Sequence, residues 1–315
     1  MRAIKQDIVE IFGFAPNDVS PVARAAWGNE QCPFIGQQCT KTNHDNSKIY
    51  GTCSVSNGIK RDFGKDIVIC PNRLYAQNYT TIRNAALAVW GALNPVIVIG
   101  GTLSQLKEAA YQDGGRHIVI AFGKNSGREI GVNANGQMSM DWVLQRYERV
   151  NDQLVVRDFI GIEVQSIDIT GNYRDTHQAY ADFGSGIAVQ SIPDSDHGLN
   201  WANVHKRLIP QIIRKGNIYQ QSARCVGFYF IVPDAVYKKF EEILGVVPAA
   251  TAPARDVVSV MTYSLGDAVQ PGSHRALVLM RTAHYRLDDI KVAFSGNTSD
   301  SAPAQLDSLL NSIVI

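Results

Sequence analysis

The chain has 315 residues, 45% of them hydrophobic, enough apolar side chain to bury one large domain plus a small module. Thirty Lys and Arg stand against twenty-nine Asp and Glu, a formal net charge of +1, which excludes a globally basic field and confines any nucleic-acid surface to a local patch. No stretch approaches the length of a membrane span.

The first twelve residues carry apolar positions at helical spacing, with no long apolar core and no cleavage site. An amphipathic N-terminal helix is therefore expected rather than a signal peptide, and with it a cytoplasmic protein whose thiols stay reduced. Next come four of the five cysteines, Cys32, Cys39, Cys53 and Cys70, separated by six, thirteen and sixteen residues. The surrounding segment is loop-like, and from 32 to 73 it holds six Lys or Arg against three Asp. Four thiolates can close a tetrahedral shell around zinc or iron and so stabilise a segment with little apolar surface of its own. Buried apolar cysteines and two disulfides are the competing readings, and His44 is a fifth candidate ligand. Cys225, alone in an apolar run, reads as a core residue.

Helical spacing follows over 80–93, then an apolar strand over 96–99, a helix over 103–111 and a second apolar strand over 118–122. Segments 139–147 and 154–169 read as two strands of a hairpin. A helix kinked at Pro210 is predicted over 201–218, a buried strand over 226–232, a helix from Pro233 to Leu244, strands near 257–263 and 276–282, and a last helix near 304–313. The order predicts an α/β fold divided into 1–94, the N-terminal helix with the cysteine module, and 95–315, the main domain with the C-terminal elements.

The chemistry is expected on the hairpin. Residues two apart on a strand share a face, so Glu163 and Gln165 project together, and the turn can bring Asp141 beside Glu163. Paired carboxylates bind a hard divalent cation through oxygen, while Gln165 can orient a water. This arrangement resembles the PD-(D/E)xK nuclease core in its variant with Gln in place of the usual Lys, a mixed sheet flanked by helices. Glu129, twelve residues ahead of Asp141, is the candidate for a further carboxylate. Asp289-Ile290-Lys291, with Asp267 upstream, matches that motif as text, yet too few residues follow it to complete the core. Asp182-Phe183-Gly184 lacks its kinase partners, Ser185 lacks the first glycine of a nucleophile elbow, and Gly100-Gly101 reads as a turn.

Cys32-Pro33-Phe34, Gly51-Thr52-Cys53-Ser54-Val55 and Ile69-Cys70-Pro71-Asn72-Arg73, followed by Asp141 and Glu163-Val164-Gln165, are similar to the NotI family of type II restriction endonucleases, over about residues 5–235. The resemblance implies that Cys32, Cys39, Cys53 and Cys70 hold a structural iron, zinc being possible, and that Asp141, Glu163 and Gln165 form a Mg²⁺-dependent cutting site. It further implies a homodimer that cuts a GC-rich palindrome in double-stranded DNA to leave 5′ extensions, paired in the cell with a DNA methyltransferase. Arg174 and His177, in the polar loop after the Glu-x-Gln strand, are candidates for DNA contact, with phosphate or solvent the simpler reading. Lys206, Arg207, Arg214 and Lys215 read as the wet face of the following helix. The rival function is a non-catalytic DNA-binding protein with a zinc-ribbon-like module.

Overall fold

The computed structural model describes residues 7–43, 47–56, 66–133, 137–251 and 253–296. The N-terminal region is built from β1 (Ile8–Ile11), α1 (Pro21–Asn29), β2 (Gln31–Cys32), β3 (Gln37–Gln38), β4 (Thr52–Ser56) and β5 (Asp66–Val68). Residues 8–11 thus form a strand and not the predicted helix. They pair antiparallel with β4 in a small sheet of order β1-β4-β5, where Ile8, Glu10 and Ile11 are buried. The pairing partner lies more than forty residues downstream, so tertiary pairing overrides the local helical spacing. The first helix is instead α1, opened by Pro21 and by the Ser20 hydroxyl, which accepts from the Ala23 N–H.

After the short turn Pro71–Tyr75 the chain enters α2 (Ala76–Trp90), β6 (Val96–Val98), β7 (Gly101–Thr102), α3 (Leu103–Gln112), β8 (His117–Gly123), β9 (Ser126–Gly127), β10 (Ile130–Asn133) and β11 (Gln137–Met140). Then follow β12 (Trp142–Val150), β13 (Gln153–Val164), β14 (Ile169–Asn172), α4 (Arg174–Gly184), β15 (Asp196–Leu199), α5 (Ile209–Gln221), β16 (Cys225–Pro233), α6 (Asp234–Leu244), β17 (Val257–Leu265), β18 (Leu277–Arg286) and α7 (Leu287–Gly296). Thr102 and Gln105 form a capping box on α3, so Gly100 and Gly101, both at positive φ, serve the turn into that helix. The helix expected near 304–313 lies outside the described residues.

A nine-stranded mixed sheet organises the molecule, in the order β18-β17-β16-β13-β12-β8-β9-β7, with β6 alongside β8. Strands β8, β12 and β13 are antiparallel neighbours; β13, β16 and β17 run parallel, joined by the crossovers through α5 and α6. Helices α5, α6 and α7 pack together, while α2 and the N-terminal sheet also pack against the large sheet. A single apolar cluster runs from Ile11, Val55 and Ile69 through Trp142 and Ile162 to Phe228 and Val260. The cysteine segment therefore contributes more apolar core than its loop-like composition suggested.

Candidate active site

The hairpin of β12 and β13 turns on Asn151 and Asp152, both in the left-handed region, which Asn and Asp tolerate better than most side chains. The register that follows pairs Trp142 with Ile162 and so sets Asp141 opposite Glu163. Two backbone bonds clamp the pair: the Asp141 N–H donates to Glu163 Oε1 at 3.4 Å, and the Val164 N–H donates to Asp141 Oδ2 at 3.0 Å. Gly123 on β8 allows this approach, since a Cβ there would stand 2.7 Å from both the Asp141 carbonyl oxygen and the Trp142 ring.

Glu163 is 3% exposed and pairs with the ammonium of Lys215 on α5. Lys215 is therefore not on the wet face of its helix. Its neighbour one turn on is Tyr219, and residues four apart on a helix stand over residues two apart on a strand, so Tyr219 covers Gly161 as Lys215 meets Glu163. Gly161 is obligatory in this packing, because a Cβ would lie 2.1 Å from the Tyr219 ring. Burial and the adjacent Asp141 carboxylate push Glu163 up to about 8, against the downward pull of Lys215. The same two carboxylates add to burial in raising the Tyr75 phenol.

Asp141 opens onto a cleft of about 310 Å³. Its lining includes Gln165 and Glu129, so the expected carboxylates and amide converge on one site, with Glu163 buried behind. Gln165 lies one residue beyond the end of β13, where its side-chain amide donates to the Ser166 carbonyl. Lys124 and Asn125 on the β8–β9 turn and Asn72, Tyr75 and Thr40 from the N-terminal half complete the wall; none of these was singled out from sequence. For Lys215 a signal existed: it falls three residues after Ile212 and four before Tyr219, on the buried stripe of the helix.

The competing motif Asp289-Ile290-Lys291 lies on α7, where Lys291 reaches Asp288 at 2.7 Å, and Asp267 follows β17. Asp182-Phe183-Gly184 ends α4. Lys206, Arg207 and Arg214 are exposed, and Arg207 reaches Asp168 at 3.2 Å. Arg174 opens α4 and lines a second cavity of about 610 Å³ with Lys41, Asn43 and Asn172. His177 is buried within α4 and does not lie in an exposed polar loop. Its Nε2 meets the Tyr50 carbonyl oxygen at 2.9 Å, its ring packs against Trp27 and Tyr50, and burial lowers it to about 4.

Cys32, Cys39, Cys53 and Cys70 are all buried free thiols, and Cys225 is buried apart from them in β16. Burial raises all four, Cys32 to about 11, and the charge of Cys70 would add to the rise at each of the other three. Cys53 and Cys70 are joined by a backbone bond of 3.2 Å between strands β4 and the end of β5. Among the described residues, no group of three or more His, Cys, Asp or Glu side chains is arranged to hold a metal ion. His44 lies outside those residues.

No helix among the described residues is long and apolar enough to cross a membrane. The curated proteins contain no match to the chain. Residues 19–243 match the family of restriction endonuclease NotI, a span that takes in the four cysteines, the clamped carboxylates and the helix carrying Lys215. The large mixed sheet with its flanking helices is consistent with a restriction-endonuclease fold, and the chain belongs to the NotI restriction endonuclease family, a type II site-specific deoxyribonuclease.

Proposed function

We propose that the cleft at the end of the β12–β13 hairpin cuts a GC-rich palindromic site in double-stranded DNA, depends on Mg²⁺ and leaves 5′ extensions. The observation that carries this reading is the reciprocal clamp of Asp141 and Glu163 beside Gln165 and Glu129. Two carboxylates held side by side by backbone N–H groups suit a hard cation with oxygen ligands, and Asp141 and Glu163 are the residues that would hold it. When bound, the cation supplies positive charge against the negative charge that develops on the phosphoryl oxygens. Gln165 cannot take a proton near pH 7, so its part is to hold the attacking water or a phosphate oxygen by hydrogen bonds. Lys124, exposed on the cleft wall, offers a phosphate contact, and Glu129 a further carboxylate. In-line attack of water on the phosphodiester breaks the bond to the 3′ oxygen and leaves a 5′-phosphate and a 3′-hydroxyl.

The enzyme acts in the cytoplasm as a homodimer, each subunit cutting one strand of a two-fold symmetric site, beside a methyltransferase that protects the host's own copies. Residues 1–94 form an accessory module in which Cys32, Cys39, Cys53 and Cys70 are the residues that would hold one iron or zinc, once deprotonated and drawn together by the ion; burial and mutual repulsion of the thiolates make them poor anions without it. Incubation with plasmid DNA and Mg²⁺ followed by run-off sequencing of the ends tests the reading at once. Discrete fragments with 5′ extensions at a GC-rich palindrome are expected, and smeared or uncut DNA would refute it. Elemental analysis should find one iron or zinc per chain, lost in Cys53→Ser and kept in Cys225→Ser.

A further inference from the structure

Two residues beyond Glu163 the chain carries a neutral amide, Gln165, and the lysine that pairs with Glu163 comes from another element, α5. Lys215 is 8% exposed, a rare burial for an ammonium unless it is paired. Its position is over-determined. A π-helical turn at Val204–Leu208 leads into α5 with Pro210 in its first turn, and the Tyr219 ring lies on Gly161 with no room for a Cβ between them. The Tyr219 ring also packs against Phe228 at 4.8 Å, which locks the helix face to the neighbouring strand β16. Gly216, beside Lys215, lies against Leu287 at the start of α7, where a Cβ would stand 2.8 Å from the leucine methyl, so the opposite side of the turn is fixed too. Three contacts hold one ammonium against one carboxylate.

That carboxylate is the one clamped to Asp141. Lys215 takes Oε2, the Asp141 N–H takes Oε1, and the Val164 N–H takes Asp141 Oδ2. The plane of Glu163 and its relation to Asp141 are thereby set by two backbone N–H groups of the hairpin together with one side chain from outside it. We propose that Lys215 is a positioning residue of the cutting site: acting through Glu163, it carries on the helix the fixed positive charge that Gln165 leaves out of the strand. Two consequences follow. Lys215 holds the two neighbouring carboxylates together against their repulsion in the absence of a metal. It also competes with a divalent cation for Glu163, so it weakens metal binding to the DNA-free enzyme while orienting the ligand for the reaction.

The inference rests on the cutting reading above, so wild-type cleavage and its loss in Asp141→Ala are established first; the absence of either refutes that reading and not the role of Lys215. Lys215→Met then removes the charge at similar volume. Single-turnover cleavage is expected to fall about 10²-fold with the DNA concentration for half-saturation unchanged, while Mg²⁺ titrated alone into the protein by calorimetry binds about tenfold more tightly. A lysine with a merely structural role would lower metal affinity together with activity, or leave it alone. The double variant Lys215→Met with Gln165→Lys returns an ammonium to the strand and is expected to cut at least tenfold faster than Lys215→Met. Melting is recorded for each variant, and if Lys215→Met is unfolded at the assay temperature, Lys215→Gln, which keeps a hydrogen bond without the charge, replaces it. A folded charge-free variant that cuts within threefold of wild type overturns the proposal. So does one whose metal affinity is not raised and whose activity Gln165→Lys does not restore.

Discussion

Two buried glutamates, one in the N-terminal sheet and one in the hairpin, each meet a buried cation, and the two pairs are finished differently. Glu10 on β1 is 1% exposed and Arg73 is fully buried; the guanidinium forks onto both carboxylate oxygens at 2.9 and 3.0 Å, and Ser54 donates a third bond. Arg73 also donates to the Arg275 carbonyl oxygen and lies over the Phe34 ring. Glu163 meets a single ammonium and has a second carboxylate beside it. The first pair matches planar donor to planar acceptor through Nε and Nη2, with only Arg73 Nη1 left without a hydrogen bond among the described residues. The second is left short of positive charge at the edge of a cleft. Burial alone marks neither as functional; the surplus of like charge does.

The sharpest way to break this comparison is to remove one member of each pair. Asp141→Ala or Glu163→Ala is expected to lower cleavage on the order of 10³-fold or more while specific DNA binding persists, since charge stabilisation at the phosphate is lost and groove contacts are not. Asp289→Ala, on α7, should cut within about twofold of wild type; the reverse ranking, read by single-turnover cleavage, would move the site. Arg73→Met should act on the fold instead. It leaves the buried Glu10 carboxylate with the Ser54 hydroxyl but without its counter-charge and costs about 3–5 kcal/mol in urea unfolding, with cleavage falling only as the folded fraction falls. If Arg73→Met were as stable as wild type, the first pair would not be structural.

Smaller effects sharpen the picture. Gln165→Ala is expected to lose about 10²-fold in cleavage through one missing hydrogen-bonding group, and Gln165→Glu to keep part of the activity with an altered metal preference; full activity in the alanine variant removes Gln165 from the mechanism. His177 on α4, packed against Trp27 and Tyr50 of the N-terminal region, gives a pH signature of that contact. Its folded value is depressed to about 4 from 6.5, so its contribution is present above 6.5 and is lost as pH falls towards 4. The unfolding free energy from urea titration should fall across that window by about 3 kcal/mol, and His177→Phe should flatten the dependence. An unchanged slope would mean that His177 charges without breaking its bond to Tyr50.

The carboxylate pair was legible in the sequence because its geometry is local: a period of two and a short turn suffice to place Asp141 beside Glu163. The parallel crossovers were legible as well, in the order strand, helix, buried strand. Lys215 was not recognised, since a lysine near the end of an amphipathic pattern is normally solvated, and only the docking of Tyr219 on Gly161 fixes the rotation of its helix. Residues 8–11 failed for a related reason. Four residues carry helical and strand spacing equally well, and the partner β4 that decides between them is remote. The wall formed by Lys124, Asn125 and Asn72 comes from turns whose approach no spacing rule encodes. The cysteine spacings likewise say nothing about which thiols face each other.

The separation between Glu163 and the lysine that completes it is fifty-two residues. A chain emerging from the ribosome at roughly 5–20 residues per second makes the whole carboxylate hairpin roughly 3–10 s before Lys215 exists. The hairpin is a fast, local structure, whereas the crossover that brings α5 onto it must close a long loop and pair β16 in parallel, which is slow. Until that closure Glu163 lacks its ammonium partner and has only the bond from the Asp141 N–H. A truncated or still-growing chain therefore carries the acidic residues of a DNA-cutting enzyme without the helix that completes them, and assembly of the site waits on the crossover that brings α5 onto the hairpin.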